Sequence, residues 1–174
     1  RRRLEASQQV SPDELIRMAE TMHKAGRWRD LLDVTSRIRA AGGLDADELA
    51  DLDLLAADAS AALRNWQHAE ELYSQTARNF TSLAGSKAAV ALGERYLTSG
   101  RTAEAEKLMT EFTDAGSPHE YWLARGYIVL ADALAASGSK AAAREYLESL
   151  KENYPGTESD IIRMIDSRLN KLKK

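Results

Sequence analysis

Three histidines, His23, His68 and His119, and the carboxylates Asp45, Asp47, Glu48, Asp51, Asp53 and Asp58 are the side chains with the most chemistry to offer. Metal binding would need two imidazoles four apart on one helix, or oxygen ligands alternating around a glycine. Neither pattern is there. The histidines are far apart, and half of the carboxylate run decorates a helix start, where unpaired N–H groups favour anions anyway. Ser137-Gly138-Ser139-Lys140 lacks the first glycine and the preceding strand of a phosphate loop. Cysteine is absent, which removes thiolate ligands and cysteine nucleophiles. Trp28 and Trp66, each two residues after a turn, read as plugs between helices and not as stacking platforms. The residue pattern therefore predicts no enzyme, no metal, no cofactor and no small-molecule substrate.

The elements that carry these residues are helices. In 174 residues, 44% are hydrophobic and 29% charged, which fits a chain with a packed core. Gly is 10, Pro is 3 and aromatics are 6%, too few turn formers for a β-sandwich. No apolar run approaches the ~18 residues that span a bilayer. With 24 Lys and Arg against 27 Asp and Glu, a net −3, no global basic field would draw nucleic acid. The opening Arg1-Arg2-Arg3-Leu4 has no apolar stretch behind it and is not a secretory signal. It reads as the start of a fragment or of a processed product. Residues 1–9 are expected as the tail of an earlier helix or as a solvated basic end.

Ser11-Pro12-Asp13-Glu14 predicts a capped helix start, with Ser11 as N-cap, Pro12 in the first turn and Glu14 closing a capping box. Ser117-Pro118-His119-Glu120 repeats the pattern. Gly26, Gly100 and Gly138 end apolar periodic segments and suit a left-handed residue after a helix. Together these signals predict nine or ten helices of roughly 12–18 residues. The turns at Gly26, Arg64, Gly100 and Gly138 recur at 38, 36 and 38 residues. Seven before each turn stands Ala19, Ala57, Gly93 or Ala131, and five after it stands Leu31, Ala69, Ala105 or Ala143. Mostly small residues in both columns let two helix backbones approach closely.

This register resembles the tetratricopeptide repeat family, a helix–turn–helix unit of about 34 residues. The likeness is closest in the fourth unit, where Tyr127, Leu130, Ala131, Leu134, Ala143, Leu147, Leu150 and Pro155 fall on the family's pattern. In the second unit Asp53 stands at the usual aromatic position. The stretch from Tyr121 onward is also similar to terminal repeats of larger bacterial envelope proteins. The resemblance implies an all-α right-handed superhelix. Its approximate repeats are 12–43, 50–81, 86–117 and 118–155 within a single repeat domain 1–174, with loops extended at Gly42-Gly43 and around Thr81–Ser86. A helix over 157–172, started by Thr157, is expected to cap the array, as the last unit of a solenoid needs a polar outer side.

The resemblance also implies peptide binding on a groove lined by the first helix of each unit. One column there reads Ile16, Leu54, Val90, Ile128, and the column four residues on reads Glu20, Asp58, Glu94, Asp132. An apolar stripe beside an acidic ladder would favour basic or apolar-basic segments, because a cationic ligand relieves the repulsion among carboxylates; the alternative for the apolar column is inter-repeat core. Lys87 and Arg125 are the cations at these positions, too few for a clamp on an acidic chain terminus. The expectation is a protein-interaction scaffold with a protein or peptide partner and no nucleic acid. The alternatives are a structural, self-associating segment of a larger assembly, or an accessory domain of a longer envelope protein.

Overall fold

Each helix-forming run is bounded by residues that start a helix or cannot continue one, and the chain follows most of these signals. A computed structural model describes residues 10–173. Among the described residues there are nine helices and no strands. They are α1 (Pro12–Lys24), α2 (Trp28–Ala41), α3 (Ala46–Ala62), α4 (Trp66–Thr76), α5 (Leu83–Thr98), α6 (Thr102–Ala115), α7 (Glu120–Ala136), α8 (Lys140–Asn153) and α9 (Ser159–Leu172). The expectation for residues 1–9 lies outside the described residues.

Four connections are built alike and make four helical hairpins. After α1, α3, α5 and α7 comes one capping residue and then a left-handed one: Gly26 (φ 70°), Arg64 (φ 62°), Gly100 (φ 80°) or Gly138 (φ 93°). The next N–H reaches back five residues, from Arg27 to Met22 O, Asn65 to Ser60 O, Arg101 to Tyr96 O and Ser139 to Leu134 O, at 2.8–3.0 Å. This closure satisfies helix-end carbonyls and reverses the chain within three residues. Arg64 is the one non-glycine among the four, held where a Cβ is unfavourable by about 1 kcal/mol. Within the hairpins both small columns are buried: Ala19, Ala57, Gly93 and Ala131 on the first helices, and Leu31, Ala69, Ala105 and Ala143 on the second. A Cβ on Gly93 would lie 2.9 Å from Met109 Cε, and one on Gly126 would lie 2.5 Å from the buried Phe112 ring.

The residues up to Thr76 form one compact unit, and those from Ala77 form another. In the first, α3 packs on both α1 and α2 and is paired with α4. Ile16, Leu31, Ile38 and Leu52 are buried there, with the Trp28 plug packed against them. In the second, α7 packs on α5 and α6, and α9 packs on α7 and α8. Ala124, Ile128, Ala131, Ala143 and Leu147 form a floor under Ile161 and Ile165 of α9.

Two expected caps are corrected. Ser11 does accept from Glu14 N–H at 3.3 Å, without the return bond from the Glu14 side chain that would close the expected box, but Ser117 does not cap α7, which starts at Glu120 after His119. Ser86 donates to Phe80 O at 2.7 Å and meets Ser117 Oγ at 2.7 Å, so the buried Ser117 is drawn inward and only His119 N–H reaches it, at 3.2 Å. Thr157 likewise does not cap α9, whose start falls at Ser159 after Glu158, with no side-chain cap. Two caps went unread in the sequence: a full Asp45–Glu48 capping box, and Ser82 accepting from Gly85 N–H at 2.9 Å.

Urea unfolding tests these backbone constraints. Gly126→Ala should cost about 1–3 kcal/mol, because the Phe112 ring has to move in a filled interior. Arg64→Gly should be neutral or gain up to about 1 kcal/mol, since the relief of the left-handed residue outweighs the added freedom of the unfolded chain.

Candidate functional site

Ile16 and Glu20 stand on α1, Leu54 and Asp58 on α3, Val90 and Glu94 on α5, Ile128 and Asp132 on α7, so each first helix presents the same pair one turn apart. The apolar members mostly turn inward. Ile16, Val90 and Ile128 are buried, at 6%, 1% and 2% exposure, and Leu54 is half-buried. The expected apolar stripe is thus largely interior, because the first helix of each hairpin is covered on this side by its neighbours.

Three of the four carboxylates have partners within the chain. Asp58 accepts from Tyr73 Oη at 2.5 Å and pairs with His23 Nε2 of α1 at 2.8 Å. Glu94 pairs with Arg125 Nη2 of α7 at 2.6 Å. Asp132 receives a two-pronged contact from Arg168 of α9, at 2.7 and 3.0 Å. Each of these pairs joins the first helix of one hairpin to the helix seated on the next position, at sequence separations of 35, 31 and 36. The side chains are 23–44% exposed. Glu20 alone in this column is exposed and makes no ion pair among the described residues.

Both groove cations are engaged as well. Arg125, besides Glu94, donates to Tyr121 Oη at 3.2 Å. Burial disfavours its charge, but these two acceptors outweigh that and raise its pKa. Lys87 Nζ lies 5.8 Å from the centroid of the Trp122 ring, which Arg125 also approaches, at 5.5 Å. Tyr121 donates in turn to Asp160 Oδ2 of α9 at 2.6 Å. Burial and that carboxylate raise the Tyr121 pKa, and the same bond holds Asp160 below the usual carboxylate range. Next to it, Tyr154 donates to Glu158 and lowers its pKa.

The sequence reading missed these partners. Its one usable signal was distance: a cation or histidine about one repeat length from each acid. Asp53, at odds with the family pattern, is explained by the same chemistry, since this buried carboxylate pairs with Arg39 of α2.

Two crystal structures of nearly identical TPR-like repeats, from a kinesin light chain candidate of Podosopora anserina, match this chain with TM-scores of 0.69 and 0.68. The identity is 18% in both, over 92% and 93% of this chain and 84% and 86% of theirs. The fold is that of TPR-like repeats. It is an all-α helical-repeat solenoid, with the hairpins above as its units. No family model and no curated protein sequence matches the chain. No described helix is long and apolar enough to cross a membrane.

The lowered carboxylates give α9 a pH dependence. Because Asp160 and Glu158 have folded pKa values below their ordinary ones, their contribution is present above the ordinary carboxylate pKa of about 4 and is lost as pH falls through the lowered values. Amide exchange in α9 should accelerate relative to that in α7 on acidification, and Asp160→Asn should flatten the dependence. A wild-type ratio constant with pH would contradict this assignment.

Proposed function

We propose that this chain is a non-enzymatic protein-interaction scaffold, whose partner presents a basic or apolar-basic segment to the first-helix face of the first unit. Repeat solenoids offer extended surfaces that suit this role. The observation that carries the partner's chemistry is the uneven compensation of charge. Residues 1–76 hold 14 Asp and Glu against 10 Lys and Arg, whereas residues 77–174 hold 13 against 14. In the second unit Glu94 and Asp132 are matched by arginines. In the first, among the described residues, Glu20 makes no ion pair and Asp58 meets a histidine and a tyrosine. A cationic segment would lower the repulsion that remains there, and the half-buried Leu54, one turn before Asp58 on α3, offers an apolar contact.

Glu20 is the residue to vary, because reversing Asp58 or Glu94 would also break a bond inside the fold. Fluorescence anisotropy with a labelled lysine–leucine peptide and its glutamate–leucine twin tests the reading. The lysine peptide should bind, weaken with added salt, and lose about fivefold in affinity with Glu20→Lys, the equivalent of roughly 1 kcal/mol for a half-exposed charge contact. Equal binding of both peptides, or no effect of Glu20→Lys, would sink the proposal.

A further inference from the structure

Among the described helices α9 is the one outside the four hairpins. It takes, against α7 and α8, the seat that α7 takes against α5 and α6 and that α3 takes against α1 and α2. The seat has a readable specificity. Three alanines, Ala124, Ala131 and Ala143, leave a depression beside Ile128 and Leu147, and Ile161 and Ile165 fill it, both fully buried. Polar bonds fix the register from either end. Asp160, one residue before the first isoleucine, accepts from Tyr121, and Arg168, three after the second, closes on Asp132.

The remaining hold is open to solvent. The Lys151–Asp166 pair, 2.7 Å long, is 50% and 45% exposed, and Arg144 donates to Leu172 O from an exposed position. A cleft of about 360 Å³ bordered by these side chains runs along the α8–α9 seam. The tether is the short stretch 154–158 with the exposed Pro155, and no side chain caps the start of α9. The short tether gives α9 a high effective concentration at the seat, so a free helix competes better once one of the contacts that hold α9 is loosened.

We propose that the α7–α8 seat is a helix-binding site that α9 occupies in cis, and that its ligand in trans is an amphipathic helix of a partner protein. That helix carries an acid, β-branched aliphatic residues one and five positions later, and an arginine eight positions after the acid. The seat is built from α7 and α8 and uses none of the residues of the Glu20 proposal, so the two proposals fail independently.

A labelled peptide of residues 159–173 serves as the probe, titrated into the full chain by anisotropy. It should bind the Arg168→Ala chain at least tenfold more tightly than the wild-type chain, whose own helix competes. Ile165→Asp in the peptide, or Asp132→Ala added to the chain, should weaken binding at least tenfold. Absence of saturable binding to a helical Arg168→Ala chain would overturn the proposal, and so would binding indifferent to Ile165→Asp. Dimerisation of that chain by light scattering, without peptide binding, would assign the seat to a second copy and also overturn it. Should Arg168→Ala fail to fold, the Asp160→Ala chain takes its place with the same expected outcomes.

Discussion

The close approach of two helices within each hairpin is the constraint on which the rest of the structure depends. It requires a small residue on the first helix of every pair, and at Gly93 even a methyl group would press on Met109. It also requires a reversal of the chain within three residues, which the left-handed residues at 26, 64, 100 and 138 supply. Once these are in place, larger side chains such as Phe112 and Leu147 are buried against the next helix of the same unit, and stacking within each unit follows from their burial. Little aromatic surface is needed, which accounts for the low aromatic content.

Stacking brings carboxylates on the first helices beside the next helix, and here the charge pattern acquires its meaning. A column of four acids looks like a ligand site when helices are considered one at a time. In the folded units two of them are joints between hairpins, and the third joins the last hairpin to α9. A carboxylate at the rim of such a contact gains from a cation across it and loses little hydration, since both groups stay partly in water. Arg39 and Asp53 repeat the device on the second-helix side, with the carboxylate more deeply buried.

Much of the fold was legible in the sequence because its signals are local. Ser11, Gly26, Gly100 and Gly138 set helix ends through backbone geometry that depends on a few neighbours. Arg64 was found only through the repeat spacing, as nothing about arginine favours a left-handed conformation. The failures have one physical cause. Ser117 was read from a four-residue pattern, but its hydroxyl answers to Ser86, 31 residues away. Periodicity shows that Ile16, Val90 and Ile128 share a face and not what covers it, so it leaves groove lining and inter-repeat core both open, and their burial favours the core. The partners of Asp58, Glu94 and Asp132 lie one repeat away, where only register could have suggested them.

The central claim is that the acidic column links hairpins, and the Glu94–Arg125 pair tests it most directly. A double-mutant cycle of Glu94→Ala, Arg125→Ala and the combined variant, followed by urea unfolding, isolates their coupling from the other contacts each residue makes. For a pair with this exposure the account predicts a favourable coupling of about 0.5–1 kcal/mol that shrinks with added salt. A coupling indistinguishable from zero at low salt would contradict it.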